Sequence, residues 1–213
     1  TILLSSMHSI VLPQNAIVTE NALPGNPASE WDISRAGDLS IQGFATAMSV
    51  NKGSPINFKI TTVAGIRFGI KIYRLGYYQG NGARLVADLG NTFTGVSQAP
   101  CITNTTTGEI DCGNWVSQST WNVPATAVSG IYIARIRRND NGGASHIIFV
   151  VRDDAGNFPI LFKTADATWQ AYNDYGGNTF YGGTVPGFTL GHAVKLSYNR
   201  PFYNRKGVIP NTA

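Results

Sequence analysis

Apolar and polar residues alternate with a period of two over Ile41 to Val50, Ile56 to Thr62, Ile66 to Leu75, Ile131 to Ile136 and Ile147 to Val151. Successive side chains of a strand point to opposite faces, so this alternation predicts half-buried strands, and the Gly, Asn, Asp and Pro residues between them predict turns. No amphipathic helical period separates the runs. The expected fold is therefore mainly β, with antiparallel sheets packed as an immunoglobulin-like β-sandwich rather than alternating β-α units. Val123 to Gly130 reads as a crossing between the sheets. Tyr132, just beyond it, is placed either as a corner residue bonding back to the chain or as an ordinary buried strand tyrosine.

The pattern changes at the polar turn Asp153 to Asn157. Residues 15–157 are assigned to the sandwich, residues 1–14 to an N-terminal extension or added strand, and residues 158–213 to an aromatic and Gly-rich extension. Some fifty residues bury too little surface to fold alone, so this extension, irregular or partially α/β, is expected to depend on its neighbour or to be an incomplete second domain.

Only 13% of the residues are charged, whereas 43% are hydrophobic and Gly and Pro are frequent, which favours a turn-rich β protein and excludes a disordered chain. The net charge of +4 would suit an acidic partner, but its densest group, Arg135, Arg137 and Arg138, alternates along a strand and reads as a solvated face. Nothing else resembles a nucleic-acid recognition motif, so no such partner is expected. Cys101 and Cys112 bracket a polar loop with no His close by, which favours a disulfide over zinc and implies an oxidising compartment, secreted or at the cell surface. No apolar run reaches the roughly 20 residues of a transmembrane helix.

The richest chemistry lies in Trp169-Gln-Ala-Tyr172-Asn-Asp-Tyr175-Gly-Gly-Asn-Thr-Phe180-Tyr181. Its rings can cover a ligand and its phenol oxygens can bind a metal or donate hydrogen bonds; a packed strand followed by a turn is the plainer reading. Tyr77 and Tyr78, in a glycine-rich loop after a strand, have the composition of a sugar-stacking surface, and an aromatic hairpin tip is their plainer reading. Ligand binding is thus assigned to Tyr77, Tyr78, Trp169 and Tyr175. Glu30 and Asp32 would face opposite sides of a strand, so they make a poor catalytic pair, and Trp31 between them reads as a loop anchor. His8, His146 and His192 are scattered and no nucleophile elbow is present, so no catalytic residue is assigned.

Several segments taken together, Glu30-Trp31-Asp32, Ile41-Gln-Gly-Phe-Ala, Ile72-Tyr-Arg-Leu-Gly-Tyr-Tyr78, Cys112-Gly-Asn-Trp115, Ser129-Gly-Ile-Tyr-Ile-Ala-Arg135 and Trp169-Gln-Ala-Tyr-Asn, resemble the N,N-dimethylformamidase large-subunit-like family from about residue 15 onward. The resemblance implies a sandwich joined to an α/β, glutamine-amidotransferase-like domain. It also implies a mononuclear iron site of two tyrosines and one glutamate, where ferric iron polarises an amide and activates water. On this sequence Tyr172 is the first ligand candidate and Tyr198 the second. No glutamate follows Glu109, however, and Asp166 and Asp174 stand in the opposite order to the one the family leads us to expect. The chain is accordingly expected to be non-catalytic and to carry no cofactor as it stands, with iron belonging to a longer parent. Three functions follow: a binding or structural module with a glycan or cell-surface ligand, the front part of an iron-dependent amidohydrolase, or a filament subunit that self-associates through the apolar segment 2–12.

Overall fold

The computed structural model describes residues 15–34, 37–183 and 191–203. In chain order the strands are β1 (Ile41–Ala45), β2 (Ser49–Asn51), β3 (Pro55–Thr62), β4 (Arg67–Leu75), β5 (Ala83–Asp88), β6 (Phe93–Thr94), β7 (Ile102–Asn104), β8 (Glu109–Asp111), β9 (Ser117–Asn122), β10 (Gly130–Arg138) and β11 (Ala144–Arg152). The helices are α1 (Ala16–Asn21), α2 (Ala28–Trp31) and α3 (Asp166–Tyr172). A three-stranded sheet β1-β3-β9 faces a larger sheet ordered β2-β11-β10-β4-β5, to which β6 adds beside β4. The antiparallel sandwich read from the alternation is what forms. A separate hairpin, β7-β8, stands at its side.

The alternation places Ile70 and Ile72 of β4, Tyr132, Ala134 and Ile136 of β10, and Ile147, Phe149 and Val151 of β11 on one face, against Ile56, Phe58 and Ile60 of β3 and Trp121 of β9. Aromatic rings meet at the centre: Phe58 and Phe149 lie 5.6 Å apart and Trp121 and Tyr132 5.8 Å apart. Burying one such side chain stabilises the fold by about 2 kcal/mol. Tyr132 takes the corner role, its hydroxyl donating to the Val128 carbonyl at 2.6 Å across the turn that enters β10.

The run Ile41 to Val50, expected as one strand, is two. A bend at Thr46 to Met48 moves the chain from the small sheet to the large one, where β2 pairs parallel with β11. Val50 is thereby buried in the core beside Val151. The alternation falters at the bend, where Ala47 and Met48 stand side by side, but a single adjacent apolar pair is too small a break to divide the run on its own.

The outer face of the large sheet is partly covered by the N-terminal segment. Trp31 packs on Tyr73, Ala83 and Ile133, and its indole N–H lies 3.1 Å from the carbonyls of both Asn26 and Asn81, so it is the anchor that its loop setting suggested. Gly82 has φ +82°, and a Cβ there would sit 2.9 Å from the Trp31 ring, so both its conformation and its space demand glycine. Segment 1–14, with the strand-addition reading of residues 2–12, lies outside the described residues.

Candidate functional site

The Trp169 to Tyr172 stretch forms the end of α3 and not a strand. Seven residues make a marginal helix in isolation, and this one is held by what its last turn meets. The Arg200 side chain is fully buried. It donates to the carbonyl of Asn178 at 3.0 Å, of Tyr175 at 3.2 Å and of Gln170 at 3.3 Å, closing the helix end and the following turn around one guanidinium. Burial pulls its pKa down to about 10, which leaves it charged at neutral pH. Asn173, also fully buried, donates to the Pro201 carbonyl at 2.9 Å and accepts from the Tyr203 amide at 2.9 Å. The extension thus has a polar interior in place of an apolar core. Its described residues hold one α-helix and no strand, the irregular form expected of it.

This unit is seated on the β7-β8 hairpin. The disulfide Cys101–Cys112 closes the open end of the hairpin, and Cys112 packs with Phe44 and Trp115. Ser197 Oγ donates to Asp111 Oδ2 at 2.6 Å, the Cys112 amide donates to the Asn199 carbonyl at 2.6 Å, and Lys195 pairs with Glu109 at 2.9 Å. Asn178 reaches the Gly108 carbonyl at 3.0 Å, and Tyr175 meets Trp115 edge-on. Burial alone would raise the Asp111 pKa, but bonds from Ser197, Gly113 and Asn199 and the charge of Lys59 outweigh it and hold it below 3.8.

Of the ligand-binding candidates, Tyr77 is 70% exposed. Its neighbour Tyr78 is fully buried under α1, donating to Glu20 Oε1 at 2.8 Å and accepting from Arg74 at 2.9 Å. No ring face of Tyr78 is open to a sugar, which corrects the sequence reading. The two tyrosines part because Tyr78 and Gln79 both take positive φ, 41° and 58°, a turn rare for side-chain-bearing residues and locked here by the Tyr78 bonds. Trp169 is half-buried and meets Phe202 edge-on, and Tyr175 is half-buried against Trp115.

The two metal-ligand candidates have different partners. Tyr172, 58% exposed, stacks on Tyr181 with centroids 4.5 Å apart. Tyr198 donates to Asp166 Oδ2 at 2.9 Å. Burial, and then the Asp166 carboxylate, raise the Tyr198 pKa, so its phenol stays protonated at neutral pH. Among the described residues no three His, Cys, Asp or Glu side chains gather to hold a metal. Ile160, Leu161 and Phe162, just before α3, stand exposed.

A family model described as N,N-dimethylformamidase beta subunit-like, C-terminal, matches residues 69–212. The chain belongs to this dimethylformamidase-like family. The match runs through β4, the core strands β10 and β11, the disulfide hairpin and the extension, crossing the boundary placed near residue 157. No curated protein matches. Among solved structures, an AA10 lytic polysaccharide monooxygenase from Streptomyces lividans aligns at 16% identity and TM-score 0.29, over 49% of this chain and 58% of that one. An uncharacterised protein from Bacillus anthracis str. Ames aligns at 12% identity and TM-score 0.29, over 70% of this chain and 98% of that one. Likenesses this distant carry no argument about chemistry.

Sequence reasoning missed Arg200, Asn173, Asn178 and Asp111. The first stood inside the Ser197-Tyr-Asn-Arg200-Pro201 segment considered only for its tyrosine. Asp111 stood beside a cysteine considered only for its sulfur.

Proposed function

We propose that this chain is a non-catalytic β-sandwich module of a dimethylformamidase-like protein, structural or binding in role, whose C-terminal segment forms a contact surface for the amide-cleaving unit. The observation that carries this reading is the joint itself: Asp111 and Gly108 of the hairpin hold Ser197 and Asn178 of the extension, Arg200 closes the extension on itself, and Tyr172, Tyr198 and the apolar Ile160 to Phe162 strip are left at the surface. An exposed apolar strip of this kind marks a contact with another polypeptide surface. The disulfide supports an extracellular setting.

The phenol and carboxylate oxygens are of the hard type that ferric iron prefers. Yet Tyr172 is engaged with Tyr181, Tyr198 with Asp166, and no glutamate follows Glu109. These residues do not compose a two-tyrosine, one-glutamate set, and we derive no catalytic step through iron. Incubated with ferric ion and desalted, the 213-residue chain should retain no iron and release no dimethylamine from dimethylformamide. Stoichiometric iron that disappears in Tyr172→Phe, accompanied by turnover, would overturn the proposal.

A second reading, glycan binding, is favoured by the open ring faces of Tyr77 and of the Tyr172–Tyr181 pair. Its test is a neutral-glycan array, in which Tyr77→Ala and Tyr172→Ala should lose signal.

A further inference from the structure

The described arginines fall into two groups. Arg67, Arg74, Arg84, Arg138, Arg152 and Arg200 each donate to a carboxylate, carbonyl or hydroxyl oxygen. Arg135 and Arg137 form no ion pair among the described residues, and the Arg135 Nε is shielded from solvent with no hydrogen-bond partner among them. Both lie on the outer face of β10, two residues apart, and Arg135 stands directly opposite Lys71 of β4. Like charges facing each other across paired strands destabilise a sheet unless something answers them; Asp88 answers Lys71 at 3.7 Å, and no ion pair among the described residues answers Arg135. Burial lowers the Arg135 pKa, Tyr73 partly opposes this and Arg137 adds to it.

These three cations line a groove of about 620 Å³, in the range of small-ligand sites. Its floor is opened by Gly69, which is the cross-strand partner of Arg137; a Cβ there would crowd Gly90 and Asn91 at 3.2 Å. Glu30 and Asp88 are on its wall, Asp88 3.7 Å from Lys71, and Asn91 and Asn139 add amide groups. Cations, carboxylates and amides lining one groove make a composite surface: the guanidinium forks match planar oxyanions, and the carboxylates and amides match hydroxyl groups.

We propose that this groove binds an acidic saccharide, with its carboxylate held by Arg135 and Arg137 and its hydroxyls by the polar wall. The site lies on the outer sheet face, apart from the tyrosines of the extension, and does not rest on the amide-hydrolase relationship.

Titration calorimetry of the full chain at low salt with trigalacturonate tests it. Saturable binding is expected, and each of Arg135→Gln and Arg137→Gln should weaken it about tenfold, the effect of losing one charge-assisted pair. The methyl-esterified trisaccharide should bind at least as weakly as those variants. If Arg135→Gln fails to fold, as its near-ultraviolet circular dichroism would reveal, the exposed Arg137 and Lys71 carry the test through Arg137→Gln and Lys71→Gln. No saturable heat at millimolar ligand, unchanged affinity in the glutamine variants, equal binding of the ester, or inorganic sulfate binding as tightly as the trisaccharide would each overturn the proposal.

Discussion

Ser197 Oγ donates to Asp111 Oδ2 at 2.6 Å, and the Asn199 side chain reaches the same oxygen at 3.3 Å, so one carboxylate of the hairpin receives two donors of the extension. Because those bonds lower the Asp111 pKa beneath its ordinary 3.8, the stabilisation is present above that value and is lost as pH falls through the lower folded value. The joint should therefore loosen below about pH 4. Hydrogen exchange at the Cys112 and Val194 amides, both bonded across the joint, should accelerate there beyond the intrinsic trend. In Asp111→Asn the joint should be weaker and this acid step absent; an unchanged step would assign it to another group.

Replacing Arg200 by Ala removes the side-chain donor to the carbonyls of Tyr175 and Asn178 in a buried interior, while the Gln170 carbonyl keeps the Asn173 amide. Leaving buried acceptors unpaired costs about 1–3 kcal/mol for each group, so α3 and the following turn should lose their protection while the sandwich keeps its own. Residue-resolved exchange should show protection falling across 166–178 and holding in β10 and β11. Arg200→Lys, which keeps the charge but not the planar fork, should fall between wild type and Ala.

Reduction of Cys101–Cys112 releases a loop of sequence separation 11, which should lower stability by about 3 kcal/mol in the chain-entropy account. A urea midpoint that does not move on adding reductant would contradict this. Since the Cys112 amide holds the Asn199 carbonyl, the extension should loosen in the same titration.

Tyr132→Phe removes the donor to Val128 while leaving the ring in the core. Arg74 Nε still reaches the same carbonyl at 3.3 Å, so the loss should be about 1 kcal/mol. A calorimetric melt of the variant checks it.

The sandwich was legible because its strands are half-buried: in β10 Ala134 and Ile136 turn to the core and Arg135 and Arg137 turn away from it, and such alternation is written directly into residue types. Strands lacking that contrast stayed hidden, notably β9, Ser117–Asn122, whose buried contribution is Trp121 alone. The candidate site was legible as composition and not as geometry. Tyr77 and Tyr78 are chemically identical neighbours, and only the α1 segment some sixty residues earlier decides that one is covered and the other is not. Arg200 was invisible for the same reason, since, apart from Gln170 Oε1, its acceptors are main-chain oxygens that every residue type carries.

The order of the contacts along residues 193–203 has a mechanical meaning. Tension on the chain beyond Tyr203 meets the ties to Asn173 first, then those of Arg200, and then the shared hold of Asn199 and Ser197 on Asp111, none of them part of a strand ladder. The segment peels one tie at a time, and the covalent ring at Cys101–Cys112 stops the tear before it reaches the sheets.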